Sequence, residues 1–118
     1  MNTSRQGALW ESAAEQYLTS NGAKILERNY RKLGGEIDLI ARMDGATVFV
    51  EVKQRTTARR GSPGEAVNHA KQANISRAAL YYLKQNGLLD AKIRFDVVEI
   101  TDEGIRHLKA AFPFVLHH

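Results

Sequence analysis

The sequence predicts an α/β fold in which a mixed β-sheet is flanked by helices. Three observations carry this prediction. An amphipathic helical segment opens the chain, two runs rich in β-branched and aromatic residues follow it, and a second helical segment separates them from two further strand-like runs. A helix placed between pairs of strands is typical of a mixed sheet covered by helices, here in the order α-β-β-(β)-α-β-β.

The first helix is predicted over residues 4–21. Apolar residues recur there at helical spacing, and Asn21-Gly22 supplies a helix stop. The apolar stripe centres near Trp10 and Tyr17. At about 100° per residue, Glu11 lies at the border of this stripe, so it could reach an interior site.

A β-hairpin is predicted next. Residues 23–26 suggest a short edge strand, and the runs 36–42 and 47–53 are joined by Asp44-Gly45, the strongest short hairpin signal. In the second run, valines alternate with Phe49, so both faces are apolar. We therefore expect a central strand covered on both faces.

The rest of the chain alternates between loop, helix and strands. Residues 54–64 are polar and basic, as in a loop, and residues 62–65 form a capping box that would begin a helix or a pair of helices ending near Asn86-Gly87. Strands are predicted at residues 93–100 and 105–108, with a turn at residues 102–104 between them.

Composition limits the class of protein. A chain of 118 residues, 43% apolar and 25% charged, fits one folded domain over residues 1–118. We interpret His117 and His118 as remnants of a purification tag. The absence of cysteine excludes thiolate catalysis and cysteine zinc sites. Without a signal region or a long apolar run, we expect a cytoplasmic location and no membrane partner.

The charge distribution favours an anionic partner. The net charge is +4, and the pI is near 9.6. One stretch of the chain contains four cations with no acid between them, namely Lys53, Arg55, Arg59 and Arg60. A shorter basic group, expected to precede the first strand of the hairpin, comprises Arg28, Arg31 and Lys32. Solvated loops are an open alternative explanation for both groups.

The hairpin register brings two acids together. If the turn is the two-residue Asp44-Gly45 loop, then stepping outward along the strands places Asp38 opposite Glu51, with Lys53 on the same face. Facing carboxylates repel unless a cation lies between them. Oxygen ligands of this kind suit Mg²⁺ or Mn²⁺, and such a metal can assist phosphodiester hydrolysis. A structural ion pair or a slipped register stays open as the alternative.

Longer motifs around these residues resemble a known family. The segments Gly35-Glu36-Ile37-Asp38-Leu39-Ile40-Ala41 and Phe49-Val50-Glu51-Val52-Lys53 resemble the bacterial YraN family and, more distantly, archaeal Holliday-junction resolvases, all placed in the PD-(D/E)XK superfamily. Residues 61–63, 71–72, 82–83 and 95–98 are also similar, so the resemblance covers nearly the whole chain. It implies a restriction-endonuclease-like core.

The resemblance also implies roles for individual residues. Asp38 and Glu51 match the two acids of the signature, Lys53 matches its lysine, and Glu11 matches the first-helix glutamate of resolvase-like members. Together these would be the catalytic residues, with Glu11, Asp38 and Glu51 as ligands of Mg²⁺ or Mn²⁺. Ile37 stands where the superfamily label has proline, which is common among its members.

The function this implies is a metal-dependent endonuclease acting on DNA, in preference to RNA, with a branched or structured substrate. Nucleic-acid contacts are expected from Arg55, Arg59, Arg60, Lys71 and Gln72. Two alternatives stay open, a non-catalytic nucleic-acid-binding module acting with a repair or recombination partner, and a protein-binding scaffold. Symmetric junction cleavage would suggest a homodimer, although no dimer face is legible in the sequence.

Overall fold

The computed structural model describes residues 3–55 and 67–115, with side chains from residue 9 onward. Its elements are α1 (Thr3–Ser20), β1 (Lys24–Lys32), β2 (Gly35–Met43), β3 (Ala46–Gln54), α2 (His69–Gln85), β4 (Ile93–Thr101) and β5 (Gly104–Leu108). This order confirms the predicted one, including the strand that the sequence had suggested only weakly.

The strands form one five-stranded mixed sheet in the order β1-β2-β3-β4-β5. The neighbours pair antiparallel except β3 and β4, which are parallel. Parallel neighbours need a long crossover connection, and the segment containing α2 provides it. The predicted α/β class with a mixed sheet flanked by helices is therefore confirmed. Neither described helix is long and apolar enough to cross a membrane.

The core has two layers, one on each face of the sheet. On the face covered by α2, Phe49 packs with Tyr82 and Phe95. On the face covered by α1, Leu18 belongs to the same buried cluster as Val48. The central position of β3, predicted from its two apolar faces, is confirmed. Its polar residues are therefore held on a rigid strand.

The edge strand β1 is longer than expected. It spans Lys24–Lys32 rather than residues 23–26 alone, with an irregularity between Ile25 and Glu27. The basic group Arg28, Arg31 and Lys32 thus lies on this strand instead of preceding the first strand. Period-two apolar alternation is weak here because an edge strand has one neighbour and tolerates many charged side chains.

The described helix α2 begins after Asn68, whose side chain accepts a hydrogen bond from the Lys71 amide at 2.9 Å. The capping box predicted at residues 62–65 lies outside the described residues. The predicted helix end is confirmed, because Asn86 is the C-cap. Where β2 passes under α2, Gly35 is needed, since a Cβ there would collide with the carbonyl oxygen of Asn74.

Candidate active site

The site lies where β2 and β3 separate. The two strands pair in the predicted register from the Asp44-Gly45 turn as far as Leu39–Val50. The next residues outward are Asp38 and Glu51. From there β2 continues beside β1, and β3 continues beside β4. The two strands therefore separate into a fork at the position of these two acids.

Strand β2 departs from regular alternation at this fork. Ile37 and Ile40 belong to the same buried cluster, although residues three apart in a regular strand face opposite sides. Beyond the fork, the Asp38 carboxylate takes over the contact with β3, since its Oδ2 accepts a hydrogen bond from the Val52 amide at 2.7 Å. The side chain of Asp38 is thus anchored to the neighbouring strand.

A cavity of about 330 Å³ opens at the fork. Three acids and two lysines line it together with Trp10, Val52 and Gln54, namely Glu11, Asp38, Glu51, Lys53 and Lys71. All four residues predicted to be catalytic, Glu11, Asp38, Glu51 and Lys53, are among them. Helix α1 contributes Glu11 and Trp10, and α2 contributes Lys71, so the cavity is built from both layers around the central strand.

The pKa of Asp38 is strongly raised in this cavity. Burial, together with repulsion by Glu51, raises the pKa of Asp38 to about 8, against the opposing hydrogen bond from Val52. Charges on Glu11 and Glu36 add to the rise. A carboxyl group in this environment resists ionisation unless positive charge is placed beside it.

Glu51 is buried, with 6% of its side chain exposed, and Lys71 neutralises it through a contact of 2.5 Å between Nζ and Oε2. Burial lowers the pKa of Lys71, but the hydrogen bond and charge of Glu51, helped by Asp38, outweigh burial and hold the pKa above its usual range. The sequence predicts a nucleic-acid contact for Lys71. It contains no signal that an ammonium from α2 would reach Glu51, the second acid of the pair.

Glu11 approaches from α1 but stands at the rim. Burial raises the pKa of Glu11 against a hydrogen bond from Asn29, and repulsion by Glu36 and Glu51 adds to the rise. Lys53, two residues beyond Glu51 on β3, is half-buried and faces the same cavity. Glu36 is more exposed and pairs with Arg31 at 3.4 Å.

The donor set fits a partly hydrated hard cation. Mg²⁺ usually keeps several waters in proteins and is held by one or two carboxylates, which Asp38 and Glu51 supply. Within residues 3–55 and 67–115, no three His, Asp or Glu side chains form a group able to hold a metal ion. Glu11 is therefore not drawn into a three-acid cluster here, and its role as a metal ligand stays a prediction.

The residues predicted to contact nucleic acid differ in their exposure and in their partners. Arg55 forms an ion pair with the buried Glu99, and only 16% of its side chain is exposed. Gln72 donates its side-chain amide to the Val67 carbonyl at 2.7 Å, bracing the start of α2. Arg59 and Arg60 lie outside the described residues.

A second polar network, which the sequence analysis missed, lies between α1 and the sheet. Asp96 is fully buried and contacts His107 Nε2 at 2.8 Å, while Arg94 donates to both of its carboxylate oxygens. His107 also contacts the Tyr17 hydroxyl at 3.2 Å. The Ala110 amide also donates to Asp96 Oδ1 at 3.0 Å, so this buried carboxylate is fully engaged. No residue spacing in the sequence predicts the contact with His107, because it forms only when β5 pairs with β4.

The fold and the site together define a mixed α/β protein with a buried glutamate, a half-buried aspartate and a lysine at a strand fork. A family model described as "Uncharacterised protein family UPF0102" matches residues 10–100. The chain belongs to this family, and the predicted membership of the YraN family is thereby confirmed.

The relatives match over nearly their full length. A UPF0102 protein of Clostridioides difficile (strain 630) is 45% identical, with 95% of this chain and 100% of the relative covered. UPF0102 proteins of Lachnoclostridium phytofermentans and Geobacter metallireducens are 47% and 49% identical, and the alignments cover 95% and 90% of this chain and 96% and 90% of those proteins.

One solved structure supports the fold. The crystal structure of SSO0001 resembles this chain with a TM-score of 0.51 and 20% identity, covering 96% of this chain and 54% of that one. This chain thus corresponds to about half of that protein. At this identity the likeness concerns the fold alone.

Proposed function

We propose that this chain is a Mg²⁺- or Mn²⁺-dependent endonuclease that hydrolyses phosphodiester bonds in DNA, with a branched or structured substrate. The observation that carries the proposal is that the carboxyl groups of Asp38 and Glu51 line one cavity together with Lys53. A raised carboxyl pKa in a cleft is typical of functional sites. The net charge of +4 is consistent with a polyanionic substrate.

Each side chain has a place in this proposal. The Val52 amide engages one oxygen of Asp38 and Lys71 engages one oxygen of Glu51, so each carboxylate keeps a second oxygen with which it would hold the cation. When bound, the cation supplies positive charge against the developing charge of the phosphodiester. Lys53, which lines the same cavity, would orient the attacking water.

Lys71 and the cation would share the charge of Glu51. Without metal, the ammonium of Lys71 stabilises the buried carboxylate. If a cation were held at Glu51, Lys71, whose side chain is 42% exposed, would be free to turn toward a substrate phosphate. This arrangement reconciles the predicted nucleic-acid contact of Lys71 with its ion pair.

A panel of labelled substrates tests the proposal. Duplex, single-stranded, flap and four-way DNA, with a matched RNA set, would be incubated with Mg²⁺, Mn²⁺ or EDTA. We expect metal-dependent cleavage of at least one DNA substrate. Lys53→Ala should retain Mn²⁺ binding by calorimetry and lose cleavage, whereas Lys92→Ala, an exposed lysine just before β4, should change neither. Loss of Mn²⁺ binding in Lys53→Ala would refute the role assigned to Lys53.

The second candidate is a non-catalytic nucleic-acid-binding module acting with a repair or recombination partner. The observation in its favour is that Lys71 already neutralises Glu51, while the described acids form no three-membered metal cluster. This candidate predicts DNA binding that is equal in EDTA and in Mn²⁺, with no cleavage of any substrate. Metal-dependent cutting abolished by Asp38→Asn would exclude it.

A further inference from the structure

The turn between β1 and β2 carries an apolar side chain into solvent. We define the hairpin tip as Arg31, Lys32, Leu33 and Gly34, at the end of β1 and in the turn before β2. Leu33 is 59% exposed, although it is a large hydrophobic residue. Burial in the core therefore does not account for it.

The backbone of the turn does not account for Leu33 either. Leu33 and Gly34 both have positive φ, +55° and +79°. The other hairpin uses almost the same pair of angles, +55° at Asp44 and +75° at Gly45. Such turns favour Asn or Asp at the first position, and leucine is strained there. A strained, exposed leucine contributes neither packing nor turn stability, and backbone strain of this kind is typical of functional positions.

The hairpin tip is held firmly against α2. Arg77 donates from Nε to the Leu33 carbonyl oxygen at 2.8 Å, and its Nη2 contacts Asn74 at 2.6 Å. Lys32 Nζ lies 5.4 Å from the centre of the Tyr81 ring. The turn is thus braced by its main chain while the Leu33 side chain stays exposed. Such preorganisation lowers the entropic cost of binding.

The surroundings of Leu33 are cationic. Arg31 and Lys32 precede it, and Arg77 lies beside its carbonyl. The ion pair between Arg31 and Glu36 is long, at 3.4 Å, and both side chains are well exposed, so it can exchange for a stronger anion. An apolar residue amid cations matches a polyanion that also presents apolar surface. Nucleic-acid bases at a disrupted stack offer that combination.

The spacing from the acid pair agrees with one substrate spanning both features. Leu33 lies in the turn and Asp38 on β2, five positions apart, so at about 3.3 Å per extended residue their separation is at most ~17 Å. A nucleic-acid strand rises ~3.4 Å per nucleotide, so this span is about five nucleotides. A phosphate at the cavity would therefore leave the hairpin tip a few nucleotides away.

We propose that the hairpin tip is a wedge that recognises the branch point of branched DNA. Leu33 would stack against the base pair left exposed at the branch, and Arg31, Lys32 and Arg77 would contact the flanking phosphates. Side chains such as leucine are used as wedges against base steps by other DNA-binding proteins. The proposal deepens the proposed function and rests on its DNA substrate, but not on cleavage.

The test uses Leu33→Asn, which keeps the turn geometry and removes the apolar side chain. Because asparagine suits this turn, the melting temperature should stay level or rise, so misfolding cannot explain a loss of binding. Leu89→Asn is the matched control, since Leu89 is 58% exposed and lies in the segment after α2. Fluorescence anisotropy in EDTA would compare a four-way junction with a linear duplex of the same arm sequences.

We expect Leu33→Asn to weaken junction binding about tenfold, the scale of losing the burial of one leucine side chain, and to change duplex binding by less than about twofold. Leu89→Asn should change neither. Equal losses on junction and duplex, unchanged junction binding, or no junction preference in the wild type would each overturn the wedge.

A separate incubation with Mg²⁺ or Mn²⁺ distinguishes the two proposals. A wild type that cuts DNA while Leu33→Asn binds and cuts the junction normally overturns the wedge and leaves the endonuclease proposal standing. A wild type that binds the junction through Leu33 yet never cuts supports the wedge and overturns the endonuclease proposal.

Discussion

Replacing Asp38 with asparagine should distinguish a metal site from a structural ion pair. The change removes a charge at nearly constant shape, and the asparagine oxygen can still accept the hydrogen bond of the Val52 amide. Burial and the neighbouring Glu51 raise the pKa of Asp38 from 3.8 to about 8 in the folded protein. Ionisation of Asp38 therefore lowers the free energy of unfolding of the metal-free wild type.

The size of this effect follows from the displacement of the pKa. Each pH unit between the unfolded and folded pKa values corresponds to ~1.4 kcal/mol, so the full displacement has an upper bound of ~6 kcal/mol. The substitution also removes the attraction between the Asp38 carboxylate and Lys71, which makes the gain in stability smaller. We expect Asp38→Asn to stabilise the metal-free protein by about 3 kcal/mol at pH 8, or roughly 10 °C in melting temperature.

The pH dependence has a definite sign. Well below pH 3.8, Asp38 is protonated in both folded and unfolded states, so its ionisation adds nothing to the difference between wild type and variant. As pH rises toward about 8, the unfolded state loses this proton first. Wild-type stability should therefore fall across this range, while Asp38→Asn should lack that part of the decline.

Metal should reverse the order of stability. Mn²⁺ binding to the folded wild type stabilises it by mass action, and it releases the proton held by Asp38. Melting temperatures at pH 5 to 8, with and without Mn²⁺, and calorimetric Mn²⁺ titrations would measure both effects. Asp102→Asn is the matched control, because Asp102 is exposed in the turn between β4 and β5. If Asp38→Asn melts lower than the metal-free wild type and Mn²⁺ stabilises neither, the acid pair is structural.

Three further substitutions test other parts of the structure. Lys71→Met leaves the buried Glu51 without its ammonium, so the free energy of unfolding should fall by about 1–2 kcal/mol, given the partial exposure of Lys71. Mn²⁺ should restore this stability. Unchanged Mn²⁺ affinity and unchanged stability would contradict a shared site. Gly35→Ala forces β2 away from Asn74 and should cost about 2 kcal/mol or more by chemical denaturation, and a neutral effect would refute that close contact. Asp96→Asn should lower the free energy of unfolding by about 3 kcal/mol at pH 7. Hydrogen bonds outweigh burial and lower the pKa of Asp96, so the loss should shrink as pH falls through that pKa. A loss that is constant with pH would argue against the charged network.

Local sequence signals determined the elements around the site. The Asp44-Gly45 turn specifies a two-residue hairpin, and this alone sets the register from the turn out to Leu39–Val50. Apolar residues on both faces of β3 placed that strand at the centre of the sheet. These signals work because turn geometry and strand alternation depend on residues adjacent in the chain.

Pairings between distant residues could be decided only by the tertiary structure. The ion pair of Lys71 with Glu51 joins side chains twenty positions apart, and its formation depends on where α2 crosses the sheet. Arg55 turns to Glu99 instead of to solvent because β4 lies parallel to β3 with a buried acid at that level. The two-residue turn set the register out to Leu39–Val50, so Asp38 and Glu51 come next along the two strands at the fork. Helix placement determined which lysine faces them, because the angle and depth of packing arise from the whole core and no short spacing encodes them.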